Sequence, residues 1–302
     1  MLDLSGATRL YPIVGDPIAQ VKSPAGVTRG FAERGADAIC VPVHVPPADL
    51  ATFVDGLGRA RNVDGLIVTV PHKFAAYKLC ATATPRARLL GAVNVMRRNG
   101  DGIWQGEMLD GLAFVRAAIE GGARPEGACA LLVGAGGAGS AIGLALLEAG
   151  VRELAVHDAD PARAEALVGR LAHAGTLVRP GSADPAGFDM VCNATPAGMR
   201  EGDPSPVAVA ALRPSMFVGD VVTAPEVTPL LRAAREAGCR TATGVQMFRV
   251  VQRLMIDFLL DAGVGAPRPS SNGDLNPHPS TGTAPPIEAS VHHTTSQLSR
   301  QQ

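Results

Sequence analysis

The run Ala130-Leu131-Leu132-Val133-Gly134-Ala135-Gly136-Gly137-Ala138-Gly139-Ser140-Ala141-Ile142 constrains the fold of this chain more than any other stretch. An apolar strand, a turn that glycines make easily and the first turn of a helix form a unit that holds a dinucleotide pyrophosphate on backbone N–H groups. A glycine motif alone is weak evidence. Here Ile142, Leu144, Leu146 and Leu147 continue at helical spacing and Gly150 ends the helix, which supplies the required context. Gly134, Gly136, Gly137 and Gly139 are the positions expected to approach the cofactor. Glu153 to Asp158 reads as the next strand, and Asp158 follows Gly139 by nineteen residues. An acidic residue near that position accepts hydrogen bonds from the adenine ribose hydroxyls. A 2'-phosphate would face this carboxylate with a repulsion of roughly 4 kcal/mol per unit charge at about 4 Å and an effective dielectric near 20. The expected cofactor is therefore NAD, with NADP less favoured. Asp160-Pro161 is a good helix-cap pair, which leaves Asp158 for the ribose.

With 302 residues, 46% of them apolar and 18% charged, the chain can bury a substantial core, and its length suggests two domains. A net charge of -1 gives no electrostatic case for nucleic acid or an anionic membrane as partner. No apolar run reaches the length of about 18 residues that a membrane span needs, and no basic segment leads into an apolar one at the N-terminus. The expectation is a cytoplasmic protein whose partner is a small-molecule substrate. Cys40, Cys80, Cys129, Cys192 and Cys239 are scattered without a C-x-x-C pair and read as reduced, mostly buried thiols. The histidines lack metal-ligand spacing, so no metal is expected.

Along the chain, Leu10 to Val14 reads as a strand that runs into Gly15-Asp16-Pro17, and a helix is predicted from Ser23-Pro24 with the serine as N-cap. That helix end is either a plain cap or a seat for an anion. Ala38 to Val45 is a second strand, and Pro46 to Asp49 opens a helix through about Gly58. Gly65 to Val70 is a buried strand that stops at Pro71-His72-Lys73. A lysine at the carboxyl end of a parallel strand either points into the ligand crevice or is an ordinary solvated loop residue. Asn94, within the apolar segment Leu89 to Val95, either ties two loops together or awaits a ligand. Asn99-Gly100-Asp101-Gly102 is a hairpin-like turn. Asp110, before Leu112, Phe114, Val115 and Ile119, is either a helix cap or a functional carboxylate. Further strands are predicted at Phe188 to Cys192 and Met216 to Val222, with a strand or loop at Thr241 to Gly244. Helices are predicted from Thr228 to Gly238 and from Met247 to Leu260. Strands alternating with helices imply parallel sheets covered on both faces. From Ala266 the composition turns to Pro, Ser, Thr, Asn and His, and residues 266–302 are expected to be a disordered tail.

The order of these motifs resembles the shikimate dehydrogenase family over residues 10–263. The resemblance rests on Gly15-Asp16-Pro17-Ile18 with Ser23-Pro24, Val68 to Lys73, Gly91-Ala92-Val93-Asn94, Asp110-Gly111, Gly134 to Gly139, Asn193 to Met199, and Asp220-Val221-Val222 with Thr228-Pro229-Leu230-Leu231. It implies an α/β fold with a split N-terminal substrate domain and an inserted Rossmann-type dinucleotide-binding domain. The substrate domain would be residues 1–108, completed by helices over 245–263, and the dinucleotide domain residues 109–244. It implies Lys73 and Asp110 as the catalytic pair, with Ser23, Thr69, Asn94 and a glutamine, Gln252 or Gln246, on the substrate. Thr195, Val221 and Gly244 would join the glycine loop and Asp158 at the cofactor. The implied activity is reversible hydride transfer between NAD(P) and a secondary hydroxyl of shikimate, quinate or a related cyclic polyhydroxy acid, by a monomer or homodimer. The alternatives are a non-catalytic module that senses NAD and a metabolite, or an aminoshikimate-type dehydrogenase.

The departures from the family pattern cluster. Val21 stands where the first of two serines is usual, and Thr223 where a tyrosine follows the Asp-Val-Val strand. Met108-Leu109 replaces Asn-Thr before the aspartate, and the glutamine expected four residues after Met247 is displaced by one. His157-Asp158-Ala159 replaces the Asn-Arg-Thr that grips an NADP phosphate. The first two losses fall on the carboxylate pocket, each about 0.5–1.5 kcal/mol for a deleted hydroxyl contact and more for a charged acceptor. The expectation is thus an enzyme acting on a cyclic polyhydroxy acid or a close analogue rather than the main biosynthetic shikimate enzyme.

Overall fold

The computed structural model describes residues 4–172 and 176–260, so the tail expected at 266–302 lies outside the described residues. The chain builds two six-stranded sheets. The first contains β1 (Arg9–Gly15), β2 (Ala38–His44), β3 (Gly65–Val68), β4 (Thr82–Ala83), β5 (Val95–Arg98) and β6 (Trp104–Glu107), in the order β2-β1-β3-β5-β6-β4. The second contains β7 (Cys129–Val133), β8 (Glu153–His157), β9 (Leu177–Pro180), β10 (Met190–Asn193), β11 (Phe217–Asp220) and β12 (Arg240–Ala242), in the order β12-β11-β10-β7-β8-β9.

Every neighbouring pair in the second sheet is parallel. Counted from β7, its strands lie in the order 3-2-1-4-5-6, the doubly wound arrangement that reverses direction between its first and fourth strands. That reversal lies between β7 and β10, where the glycine loop and the Asn193-Ala194-Thr195 turn both leave the sheet.

The first sheet departs from the all-parallel expectation. β1, β2 and β3 are parallel, but β3 pairs β5 and β5 pairs β6 antiparallel. The turn at Asn99 to Gly102 is the cause of the second of these antiparallel pairings. Asn99 N–H donates to Ile103 O at 2.9 Å and Gly102, at φ 83°, donates to Asn99 O at 2.9 Å, which closes a hairpin too short for a parallel crossover.

The helices are α1 (Ser23–Glu33), α2 (Leu50–Arg59), α3 (Lys73–Tyr77), α4 (Pro85–Leu90), α5 (Asp110–Glu120), α6 (Gly137–Glu148), α7 (Pro161–Leu171), α8 (Pro229–Glu236) and α9 (Gly244–Leu260). Asp160 caps α7 as predicted, accepting from Ala162 N–H at 3.0 Å. Ser23 does not cap α1: it is the first helical residue, and Lys22 takes the cap position without a side-chain bond. Asp110 likewise begins α5 rather than capping it, and Leu109 holds the cap position.

The two sheets share one apolar core. Val14 and Leu66 from the first sheet, Phe114 and Ala118 from α5, and Leu132 and Leu154 from the second belong to a single buried cluster. α5 packs on both α6 and α9, and α9 also packs on α1 and β5, so the last helix returns to the first lobe. Among the described residues no helix is long and apolar enough to cross a membrane.

Candidate active site

β3 ends in Thr69-Val70-Pro71-His72 before Lys73 opens α3. His72, almost wholly buried, locks this turn by pairing its Nε2 with Val45 O at 2.7 Å, while its N–H donates to Thr69 O at 2.9 Å. The Lys73 ammonium is thereby directed inward, where it donates to Asp110 Oδ2 at 2.5 Å. Both side chains are largely buried, 14% and 9% exposed, so the pair is shielded from solvent rather than a loose surface bridge.

Asn94 ties two segments together. It is 1% exposed, donates from Nδ2 to Asp110 Oδ1 at 2.7 Å and accepts from Leu109 N–H at 2.9 Å. Its amide therefore orients the carboxylate and fixes the entry to α5 together. Asp110 stands in the first turn of α5, where the helix dipole favours negative charge.

A cavity of about 220 Å³ opens beside the pair and also takes in Thr69, Ser23 and Thr223. Gly15 lets Thr69 approach, since a Cβ there would lie 2.6 Å from Thr69 Cγ2. Of the residues expected on the substrate, Ser23, Thr69 and Asn94 thus gather with Lys73 and Asp110.

Gln246 and Gln252 do not reach this cavity. Gln246 Oε1 accepts from Thr243 N–H at 2.8 Å, and Gln252 packs against Gly26 between α1 and α9, in a separate outer groove. Val251, four residues after Met247, lines the cavity instead. A helix turns about 100° per residue, so a one-residue displacement carries the amide onto another face. Phe248, Val251 and Met255, which the motif comparison passed over, line the cavity from α9. Their i, i+3, i+7 spacing was the signal that could have found them.

The glycine loop fits a dinucleotide. Gly134 has φ 102°, and a Cβ on Gly139 would lie within 2 Å of the Gly134 carbonyl oxygen, so only glycine allows this turn. Gly136 precedes α6 with open space at its Cβ position, and no side chain caps the helix, so its first N–H groups suit a pyrophosphate. Gly137 faces the first lobe: a Cβ there would be 3.3 Å from Lys73 Cδ.

Thr195 lies beside Gly134, its Oγ1 donating to Asn193 Oδ1 at 2.7 Å. Gly244 lies under the Val221 and Val222 carbonyls, where a Cβ would be only 2.5 and 2.2 Å from the two oxygens. Asp158 leaves the capping to Asp160 but is not free: it accepts from Ala135 N–H at 2.7 Å and Asp160 N–H at 2.9 Å. A carboxylate has about four acceptor positions, which leaves room for a ribose hydroxyl. A second cavity of about 680 Å³ runs past Val133, His157 and Thr195 at the carboxyl ends of β7, β8 and β10.

Beneath this edge, buried Asp220 accepts from Asn193 Nδ2 at 3.1 Å, Val222 N–H at 2.9 Å and Thr228 Oγ1 at 2.7 Å. Burial raises its pKa above the usual carboxylate range, against these donors. Burial also pushes the thiols of Cys40, Cys80 and Cys192 up to about 12, so they stay protonated at neutral pH.

A doubly wound lobe with a glycine cradle, facing a buried lysine on a second α/β lobe that pairs with the carboxylate opening α5, is the architecture of an oxidoreductase and suits a dinucleotide. A family model described as the shikimate dehydrogenase substrate binding domain matches residues 13–96. The chain is 38% identical over 279 residues to a shikimate dehydrogenase (NADP(+)) of Rubrobacter xylanophilus, covering 90% of this chain and 98% of that one. A shikimate 5-dehydrogenase from Listeria monocytogenes, solved with shikimate and NAD, matches at TM-score 0.79 and 30% identity over 85% of this chain and 93% of that one. The ligand-free 5-ketofructose reductase of Gluconobacter sp. strain CHM43 matches at TM-score 0.76 and 27% identity over 85% and 95%. The chain belongs to the shikimate dehydrogenase family.

Proposed function

We propose that the protein transfers a hydride reversibly between a nicotinamide dinucleotide, NAD in preference to NADP, and a secondary hydroxyl of shikimate, quinate or a related cyclic polyhydroxy compound. The observation that carries this reading is the buried Lys73–Asp110–Asn94 chain, which meets the dinucleotide loop at Gly137. Residues 1–108 with 245–263 then form the substrate domain, and residues 109–244 the dinucleotide domain.

When bound, the dinucleotide supplies the hydride acceptor. Gly134, Gly136, Gly137 and Gly139 would hold its pyrophosphate, and Asp158 its adenine ribose. Thr195, Val221 and Gly244 complete that wall. Lys73, as the neutral amine, receives the hydroxyl proton as the carbonyl forms, Asp110 holds the resulting ammonium, and Asn94 keeps the carboxylate aligned. Thr69 and Asn94 orient the neighbouring hydroxyls, and Ser23 closes the far side. The Gluconobacter neighbour, by its name a reductase of a keto sugar, is consistent with a polyhydroxy ketone as the reduced partner's oxidised form.

The decisive test uses purified protein with NAD or NADP against shikimate, quinate and uncharged analogues. Turnover should fall by a factor of about a thousand or more in Lys73→Ala, as expected for loss of a positioned base. Absence of turnover with every pair would overturn the assignment. Asp158→Arg should move the preference toward NADP, and an unchanged ratio would mean that Asp158 does not read the ribose.

A further inference from the structure

The cavity beside Lys73 is lined by chemically unlike sets of residues, of which two matter for a ligand. One holds Thr69, Lys73, Asn94 and Asp110, a set of donors and acceptors suited to adjacent hydroxyls. The other is walled by Val21, Phe248, Val251 and Met255. The three residues from α9 share one helical face, while the neighbouring Gln246, Arg249, Gln252 and Arg253 line the outer groove instead. The amide and guanidinium groups of α9 are therefore turned away from the substrate.

Two lysines line the cavity, and only one of them is buried and charge-paired. Lys73 is bonded to Asp110, and Lys22, exposed, donates to Thr223 O at 3.2 Å. A ligand carboxylate lying on the Val21, Phe248, Val251 and Met255 wall would lose its water and gain no buried charge in return, which is costly. An uncharged group would displace water from that surface favourably. Ser23 and Thr223 each offer a hydroxyl at the margin, enough for a neutral polar edge but not for a charge.

Resting on the hydride-transfer reading, we infer that the substrate is a cyclic or short secondary alcohol with a neighbouring hydroxyl and an uncharged, largely apolar substituent where the acids of this type carry a carboxylate. In its oxidation the carbinol C–H bond breaks with its electron pair passing to the oxidised dinucleotide. The O–H proton passes to the Lys73–Asp110 pair, and the carbon–oxygen double bond forms.

Shikimate and its methyl ester share ring and hydroxyls and differ in this one charge. With the full chain and NAD, kcat/KM for the ester should exceed that for the acid by at least tenfold. Val251→Gln and, separately, Val21→Ser should each shift the ratio toward the acid by about tenfold, with thermal midpoints confirming that both variants fold. An acid that equals or beats the ester overturns the inference and leaves the dehydrogenase reading intact. So does a Lys22→Gln variant that selectively loses the acid, because Lys22 would then be the carboxylate's partner. If neither compound turns over with NAD or NADP, the hydride-transfer reading falls for this ring, and calorimetric binding decides the pocket. Tighter binding of the ester supports the uncharged wall; tighter binding of the acid, or no binding of either, overturns it.

Discussion

At Gly111 a Cβ would lie within 2 Å of the Ala141 carbonyl oxygen, where the start of α5 crosses α6. Backbone oxygen cannot yield as a flexible side chain does, so Gly111→Ala must push α5 outward and carry Asp110 with it. A loss of about 1–3 kcal/mol of stability is expected from such overpacking, read as a lower urea midpoint at an unchanged slope. The kcat should fall as well, and a variant with unchanged kcat would show that Asp110 is not held by this crossing. Asn94→Ala tests the same carboxylate from its other side. It removes a hydrogen bond to a charged group, worth about 1.5–3 kcal/mol, or roughly ten- to a hundredfold in kcat/KM. Rescue by Asn94→Ser but not by Asn94→Leu would separate polarity from packing. The gathering of Lys73, Asp110, Asn94, Thr69 and Ser23 around one cavity was legible because each sits in a short motif whose local turn fixes its direction. Gln252 was misplaced because its direction depends on the rotation of α9, which only packing against Gly26 and α1 reveals. Val251 carried no chemical signal of its own, and its importance comes from the cavity that it borders.

In the second sheet β7, β8, β10 and β11 were readable because each is a largely apolar, buried run, as at β7, where every residue is buried. The first sheet was not. β4 has two residues and β9 of the other sheet is mostly exposed, so neither shows a burial period, and the direction of β5 and β6 follows from one turn. Nor does the sequence reveal that β10, β11 and α8 meet on Asp220. Its pKa is raised by burial, so the folded chain keeps this proton at pH values where the unfolded chain has released it. The group's contribution to stability is then full below the unfolded value of about 3.9 and is lost as pH rises through the higher folded value. Asp220→Asn cannot ionise, and the curve of stability against pH should flatten above pH 4. The variant should also be less stable by about 1–3 kcal/mol at its best pH, because an amide turns N–H groups toward donors at Asn193, Val222 or Thr228. A curve parallel to the parent's would mean that Asp220 is ionised throughout.

Across the whole molecule the lobes are coupled rather than merely adjacent. The shared apolar core runs from Val14 through Phe114 to Leu154, Arg170 of α7 donates to Leu90 O of α4 at 2.8 Å, and Arg86 pairs with Glu148 at 3.0 Å. The exposed ion pair contributes little, about 0–1 kcal/mol, so the common core is what ties the sheets into one unfolding unit. A ligand held only by the glycine loop should therefore stabilise the first lobe as fully as the second. At a hundred times its dissociation constant a ligand adds about 2.7 kcal/mol, which for a chain of this size raises the thermal midpoint by roughly 4–5 °C. With NAD the calorimetric trace should remain a single peak displaced as a whole, and under the proposed cofactor preference NADP at equal concentration should displace it less, its 2'-phosphate then facing Asp158. Two peaks of which only one moves would show that the lobes unfold separately. An equal shift with NADP would remove the cofactor preference while leaving the glycine cradle in place, since that cradle rests on backbone geometry at Gly134 and Gly139 rather than on charge.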